Sequence, residues 1–178
     1  MITVKDLSFV PFISKEEIAE KIAELGEKIQ TNYANQEPLF IGVLNGAFLF
    51  AADLLRACGD MPCEIFFVKL SSYEGTSSTG KVISVIGVKP EIVKDRAVII
   101  LEDIVDTGKT MSDFMKTIAS YQPKSMALVT LFHKPDALQH EVKIDHIGFS
   151  IPDKFIVGYG LDYDGFGRNL ADVYQLAD

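Results

Sequence analysis

The sequence predicts an α/β fold in which a mostly parallel, twisted sheet is flanked by helices. Short apolar runs alternate with helical patterns along the chain, an order typical of βαβ units. Polar residues directly follow several of these runs, as expected where ligands bind outside the carboxyl ends of parallel strands. No internal repeat, low-complexity tract or linker divides the chain, so we predict a single domain over residues 1–178.

The first half of the chain is predicted to begin with an amphipathic helix. Ser14-Lys-Glu-Glu17 is a capping box, and four apolar residues follow it at helical spacing before Asn32. Leu39–Leu44 is a short apolar run of the buried-strand type. Residues 71–80 are rich in Gly, Ser and Thr, so we expect a long mobile loop there. The predicted elements are a helix over 14–32, a strand over 39–44, a helix over 47–57 and strands over 63–70 and 82–88.

The second half contains the clearest buried strand, Arg96–Leu101, which leads into the acidic segment Glu102–Thr110. Three polar residues, Asn45, Glu102 and Lys134, follow predicted strands, and we expect them to meet at one edge of the sheet. The remaining predicted elements are a helix over 111–121 and strands over 125–132, 144–149 and 155–158, before a mixed segment over 162–178.

Charge and composition argue against several classes of protein. The formal charge of -8 disfavours general nucleic-acid binding, which depends on a basic surface. The first residues lack the pattern of a signal peptide, and no apolar stretch reaches the roughly 18 to 20 residues that span a bilayer. Cys58 and Cys63 have no metal-ligand spacing around them and are interpreted as reduced thiols. We expect a cytoplasmic protein with no nucleic-acid or membrane partner.

The segment Glu102–Thr110 carries the strongest chemical signal. Thr107-Gly-Lys-Thr110 opens a helix, where unpaired N–H groups and the positive end of the helix dipole can cradle a phosphate. Gly108 lets the backbone approach closely, and the threonines add hydroxyl donors. The acids Glu102, Asp103 and Asp106 would repel a phosphate, so ribose hydroxyls or Mg²⁺ ions are predicted to lie between them.

Three other interpretations of this segment are weaker. A nucleotide-binding P-loop needs glycine five residues before Gly108, and position 103 is aspartate. A receiver domain with a phosphorylatable aspartate would explain the acids but not the Thr-Gly-Lys-Thr turn. An exposed acidic turn before a helix is the remaining alternative.

Glu102–Met111, with its apolar lead-in, resembles the phosphoribosyl pyrophosphate-binding motif of type I phosphoribosyltransferases, and of their hypoxanthine-guanine branch in particular. The match extends from about Leu39 to Arg168 and includes Leu44-Asn-Gly46, Ser72-Tyr73, Lys134 and Ile151–Tyr163. The resemblance implies transfer of a 5-phosphoribosyl group from phosphoribosyl pyrophosphate to hypoxanthine or guanine, with Mg²⁺. It also implies a core over about 35–150, a small hood from about 1–14 and 151–178, and a homodimer or homotetramer.

The resemblance assigns roles around the phosphoribosyl group. Glu102 and Asp103 hold the ribose hydroxyls directly or through Mg²⁺, and Ser72 and Tyr73 belong to a lid that closes over the reacting centre. The implied metal ligands are Glu102, Asp103 and Asp162. The implied phosphoribosyl pyrophosphate ligands are Asn45, Gly46, Ser72, Tyr73, Glu102, Asp103, Thr107, Gly108, Lys109, Thr110 and Arg168.

The same resemblance assigns the purine site. Asp106 becomes the general base or stabiliser at the imidazole edge, and Lys134 donates to the 6-oxo group, which disfavours adenine. Phe155 stacks on the purine, Ile156 contacts the base edge through its backbone, and Asp162 lies near the 2-position. Without the resemblance, Lys134 is typical of a solvated turn and Phe155 of a core aromatic.

One departure and two rival functions stand beside these assignments. Many family members carry lysine where this chain has Asn45, so a charged contact to pyrophosphate is not expected there. His133, His140 and His146 match no catalytic element and are interpreted as structural. The first rival is a phosphoribosyltransferase for xanthine or another base. The second is a non-catalytic regulator that senses phosphoribosyl pyrophosphate, which usually carries a DNA-binding domain or a basic face.

Overall fold

The computed structural model describes residues 1–72 and 82–177. In chain order its strands are β1 (Ile2–Val4), β2 (Leu7–Ile13), β3 (Leu39–Leu44), β4 (Glu64–Ser72), β5 (Val82–Ile86), β6 (Ala97–Val105), β7 (Ser125–His133), β8 (His146–Ser150), β9 (Ile156–Val157) and β10 (Val173–Leu176). The helices are α1 (Lys15–Tyr33), α2 (Phe48–Ala57), α3 (Pro90–Val93) and α4 (Lys109–Ser120), with a 3₁₀ turn at Pro135–Ala137.

The central sheet has the strand order β5-β4-β3-β6-β7-β8. Neighbours from β4 to β8 pair in parallel, and β5 is antiparallel to β4. The chain leaves β3 on one side to form β4 and β5, then crosses back to build β6, β7 and β8 on the other side. The strand order therefore reverses between β3 and β6, which is where such sheets bind ligands. The predicted α/β fold with a mostly parallel sheet is confirmed.

Helices cover both faces of this sheet because its central strands are apolar on both sides. One core joins α1 and α2 to Phe40, Ile99 and Val129, and the other joins α4 to Ile41 and Ile100. The alternation of Phe40 with Ile41 in β3 sends neighbouring side chains to opposite faces. The capping box predicted at Ser14 is present at the start of α1, with Glu17 N donating to Ser14 Oγ at 3.2 Å.

Two strands extend at least two residues further than the sequence predicts. The predicted strand at 96–101 continues to Val105, because β7 also continues and pairs Ile104 with Phe132. Glu102 therefore lies inside β6, and the expectation that it follows the strand is wrong. Ser71 and Ser72, predicted to start a loop, belong to β4. The rest of that predicted loop, residues 73–80, lies outside the described residues.

A second sheet joins the two ends of the chain in the order β1-β2-β10-β9. It packs around a small core of Val4, Phe9 and Val157, and its strands come from the segments predicted to form the hood. The boundary between core and hood remains a prediction. Over residues 1–72 and 82–177, no helix combines the length and apolar character needed to span a membrane.

Candidate active site

The reversal point of the sheet opens a gap between β3 and β6. Pairing between these strands ends at Gly42 and Leu101, although β3 continues beside β4 and β6 beside β7. The loop after β3 enters this gap with a cis peptide bond between Leu44 and Asn45. A Cβ atom on Gly46 would overlap the Asp103 carboxylate, so any larger residue here would displace that side chain. The exposed Asn45 and the buried Gly46 thus lie beside the acids of β6.

The two acids at the gap are held in a poorly solvated position. Burial, together with the neighbouring Asp103 charge, raises the pKa of Glu102 well above its ordinary value. Burial also raises the pKa of Asp103 to about 6, although the Ile104 N–H donates to Asp103 Oδ1 at 2.9 Å. Glu102 Oε2 is buried and has no hydrogen-bond partner among the described residues. Glu102 therefore lacks the donor or cation that ordinarily compensates a buried acid.

A phosphate-sized cradle follows β6. Gly108 adopts a left-handed conformation at φ +78° and caps α4, whose first N–H groups have no partners within the helix. A Cβ on Gly108 would come within 2.6 Å of the His140 carbonyl oxygen. The Thr107 carbonyl accepts hydrogen bonds from Gln139 N and His140 N, both at 3.0 Å, which fixes the turn. A cavity of about 130 Å³ lies here, lined by residues 102, 104–108, 110 and 111.

The basic side chain of this turn does not supply the charge of the cradle. Lys109 Nζ lies 3.1 Å from Asp113 Oδ2 and is directed along α4. An anion here would be held by the backbone N–H groups and the helix dipole, with hydroxyls from Thr107 and Thr110 at its edge.

Lys134 is buried next to this cradle, between two carboxylates. Its ammonium group lies 3.3 Å from Asp106 Oδ2 and 3.2 Å from Asp153 Oδ1, while its side chain is only 8% exposed. The backbone N–H of Lys134 donates to Val105 O at 3.0 Å, which ties it to the end of β6. The interpretation of Lys134 as a solvated turn residue is therefore wrong.

Phe155 lies on the hood side of the same opening. It is 44% exposed, so the interpretation as a core aromatic is wrong. Two rings hold it in place: Phe9 at 6.3 Å and Tyr163, edge-on, at 6.0 Å between centroids. The next residue, Ile156, is buried in β9. An exposed ring with fixed neighbours is suited to stacking against a planar ligand.

Arg168 and Asp162 are paired with each other. Arg168 Nη2 lies 2.7 Å from Asp162 Oδ1, and Nη1 donates to the Gly160 carbonyl at 2.7 Å. Gly160 in turn lies against the Gly46 carbonyl, where an added Cβ would overlap it. The Arg168 charge lowers the pKa of Asp103 and the Asp162 charge raises it, although both effects are smaller than that of burial. The pair is thus electrostatically coupled to the acids of β6.

The structure brings most of the predicted site residues to the carboxyl edge of the sheet around β3 and β6. Tyr73 lies outside the described residues, and Ser72 is the last residue of β4. Over the described ranges, no three His, Cys, Asp or Glu side chains cluster closely enough to hold a metal ion by themselves. A larger cavity of about 520 Å³ lies between α1, α2 and Tyr159, and its lining is mostly apolar.

Sequence reasoning missed two contributors to the site. Asp153 is the second carboxylate at Lys134, and Gly160 lies against the loop after β3. Asp153 lies in the matched segment Ile151–Tyr163, but nothing next to it in the sequence indicates its ion pair. Its partner Lys134 is 19 residues away. The role of Asp153 can be recognised only when the fold brings it within 3.2 Å of the Lys134 ammonium.

Comparison with known proteins identifies a family and its members. The phosphoribosyl transferase domain family matches residues 13–164. A hypoxanthine-guanine phosphoribosyltransferase of Mycobacterium tuberculosis H37Rv is 40% identical over 170 residues, covering 92% of this chain and 84% of the relative. A hypoxanthine phosphoribosyltransferase of Salmonella typhimurium LT2 is 39% identical over 163 residues, covering 90% of this chain and 91% of the relative. The crystal structure of a hypoxanthine-guanine phosphoribosyltransferase from Bacillus anthracis superposes with a TM-score of 0.88 at 34% identity, covering 97% of this chain and all of that one (100%).

Proposed function

The chain belongs to the phosphoribosyl transferase domain family, and we propose that it transfers the 5-phosphoribosyl group of phosphoribosyl pyrophosphate to hypoxanthine or guanine. The products are IMP or GMP and pyrophosphate, which makes the reaction a step of purine salvage. The relatives named above support this substrate pair. The observation that carries the proposal is the pair of Lys134 and Asp106.

This pair matches the polar edge of a 6-oxopurine. Lys134 can only donate hydrogen bonds and ionised Asp106 can only accept them, and their charged atoms are 3.3 Å apart. A 6-oxopurine carries an acceptor, O6, beside N7, and lysine is a common ligand of that edge. In the tautomer with hydrogen on N7, the base accepts from Lys134 at O6 and donates to Asp106. Adenine places an amine opposite Lys134, so two donors would face each other.

The cradle at Thr107–Thr110 is suited to the 5-phosphate. Its backbone N–H groups and the start of α4 favour a dianion without a lysine at its centre. Holding the phosphate there fixes one end of the ribose. Phe155 and the pair of Lys134 and Asp106 fix the base. Positioning both reactants in this way converts a bimolecular step into an effectively unimolecular one.

The acids of β6 fit ribose hydroxyls and Mg²⁺. The unpartnered Glu102 Oε2 and the raised pKa of Glu102 and Asp103 indicate that a donor or cation belongs beside them. Mg²⁺ commonly binds through one or two carboxylates together with substrate oxygens and water, which agrees with the open arrangement here. Glu102 and Asp103, adjacent in β6, or Asp162 in the hood would hold Mg²⁺ together with substrate oxygens, because the three carboxylates do not cluster closely enough to hold one ion by themselves. When bound, Mg²⁺ neutralises negative charge on the pyrophosphate group.

The proposed reaction is a displacement at the anomeric carbon. N9 of the base forms the bond to this carbon while the bond to the pyrophosphate oxygen breaks, and the N7 proton passes to Asp106. Lys134 holds O6, and Arg168 can leave Asp162 to contact the departing anion through its planar fork. Backbone contacts from Asn45 and Gly46 would hold the same anion, without a lysine side chain.

A panel of bases tests the proposal most directly. Hypoxanthine, guanine, xanthine, adenine and a pyrimidine are each supplied with phosphoribosyl pyrophosphate, in Mg²⁺ and in excess chelator. We expect nucleotide from hypoxanthine or guanine in Mg²⁺ only. A preference for xanthine, adenine or a pyrimidine would overturn the base assignment. Binding of phosphoribosyl pyrophosphate without turnover of any base would favour the regulator. The homodimer or homotetramer and the cytoplasmic location remain predictions.

A further inference from the structure

We propose that Asp153 is a positioning residue that holds the Lys134 ammonium for the 6-oxo group of the base. Asp153 would thereby set how strongly the enzyme prefers bases with that group. The inference rests on the proposed function, because it assigns the second carboxylate at Lys134 a task in the same reaction.

The burial of Lys134 requires a partner that persists during the reaction. Its side chain is 8% exposed, whereas those of Asp106 and Asp153 are 47% and 60% exposed. A buried ammonium without a counter-charge is strongly unfavourable. In the free protein two carboxylates share this task.

Binding of the base changes this arrangement. Asp106 turns its oxygens toward N7, and the contact between Asp106 and Lys134 weakens. Asp153 then remains as the carboxylate at the ammonium. The lysine can donate to O6 while its charge stays compensated.

The position of Asp153 is fixed by backbone contacts between the two segments. Ile151 N donates to His133 O at 2.8 Å, one residue before Lys134, and Lys134 N donates to Val105 O. Asp153 also lies two residues before Phe155, the ring proposed to stack on the base. One short segment therefore contributes both the stacking ring and the carboxylate that orients the lysine.

Loss of Asp153 leaves Asp106 as the single carboxylate partner of this buried lysine within the described chain. The Lys134 ammonium would then be drawn toward Asp106 and away from the position of O6. The cost falls on recognition of O6, and not on N7 or on the 5-phosphate, whose cradle is built from another segment.

The test compares hypoxanthine with purine, the same ring system without the 6-oxo group. For Asp153→Asn we expect kcat/KM for hypoxanthine to fall by about 10- to 100-fold, the size of one charge-assisted hydrogen bond. The loss should lie mainly in KM for the base, with KM for phosphoribosyl pyrophosphate unchanged. With purine, the change in kcat/KM, or in the inhibition constant if turnover is slow, should be under about threefold.

Two matched variants serve as controls. Asp153→Glu keeps the carboxylate at an exposed position and should restore most of the preference for hypoxanthine. Asp136→Asn removes the same charge from an exposed site two residues from Lys134, and it should leave both bases unaffected. Thermal unfolding of each variant shows whether the fold is intact.

The outcomes separate the inference from the proposed function. Equal losses with hypoxanthine and purine, or no loss with either, would overturn the role of Asp153 while the activity stands. A wild-type enzyme that does not convert hypoxanthine would overturn the proposed function and this inference together.

Discussion

At the scale of single residues, the site depends on charges held in partly buried positions. Lys134 is compensated by Asp106 and Asp153, whereas Glu102 Oε2 has no hydrogen-bond partner among the described residues, and burial outweighs the partners of Asp103. The first arrangement suits recognition of a neutral polar base, and the second suits cations and hydroxyl groups. Each predicts a different consequence when a charge is removed.

Asp106→Asn removes the charge of Asp106 and keeps its size. The amide cannot take up the N7 proton, so kcat should fall by about 10²-fold or more, as for other general acid–base groups. Steady-state kinetics should show little change in KM for phosphoribosyl pyrophosphate. Thr110→Val is the matched comparison, because it removes a hydroxyl at the cradle and should raise that KM more than it lowers kcat. Near-normal kcat in a well-folded Asp106→Asn enzyme would contradict the role of Asp106.

Asp103 should make the free protein less stable as the pH rises. Its pKa is raised by burial from 3.8 to about 6, so the folded state binds more protons than the unfolded state between these values. The free energy of unfolding should therefore fall as the pH rises from about 4 to about 6, by up to about 3 kcal/mol. Denaturant unfolding in the presence of chelator, over this pH range, measures the effect.

Asp103→Asn provides the control for this pH dependence. It should remove this part of the slope and increase stability at pH 7, because a neutral amide replaces a buried charge. An unchanged slope in this variant would show that Asp103 is not the group responsible.

At the scale of elements, two glycines with similar backbone conformations differ in their surroundings. Gly108 has φ +78° and lies against the His140 carbonyl, whereas Gly165 has φ +86° and open space around it. Gly165→Ala should lower the free energy of unfolding by about 1–2 kcal/mol, the expected penalty of a left-handed conformation for alanine. Gly108→Ala should lower the free energy of unfolding further and raise KM for phosphoribosyl pyrophosphate, because the cradle must shift. If the two variants changed the free energy of unfolding and KM equally, this account of the turn would be contradicted.

The elements also show what could be predicted from the sequence. The apolar runs predicted the parallel strands, and Thr107–Thr110 predicted the turn that opens α4, because these signals lie within short segments. The extension of β6 to Val105 depends on pairing with β7, and strands β1, β2 and β10 depend on pairing between chain ends. Asp153 became recognisable only through its distance to Lys134. Local patterns cannot contain such long-range contacts.

At the scale of the whole molecule, the two sheets share a core, because Ile13, Ile156 and Val173 of the second sheet pack with α1, α2 and the central sheet. The core formed by α1, α2 and the central sheet supports the gap between β3 and β6, and Tyr159 links the hood to α2 by donating to Asp53 at 2.6 Å. In the proposed function, the base and the phosphoribosyl group are bound by different parts of the molecule.

Leu54→Ala tests the contribution of this core. Leu54 is fully buried in α2, and its truncation should lower the free energy of unfolding by about 2–5 kcal/mol. Phe48→Ala, at an exposed position on the same helix, should lower the free energy of unfolding by a smaller amount. Denaturant titration measures both variants. A larger loss at Phe48 than at Leu54 would contradict the packing described for α2.

A crystal structure of the protein with IMP and Mg²⁺ tests the central claim most directly, because one molecule occupies the phosphate and base sites together. We expect the 5-phosphate on the backbone N–H groups of Thr107–Thr110 and the base stacked on Phe155. O6 should lie within hydrogen-bonding distance of Lys134 Nζ, and N7 should lie beside Asp106. A phosphate bound elsewhere, or a base whose O6 does not reach Lys134, would contradict the account.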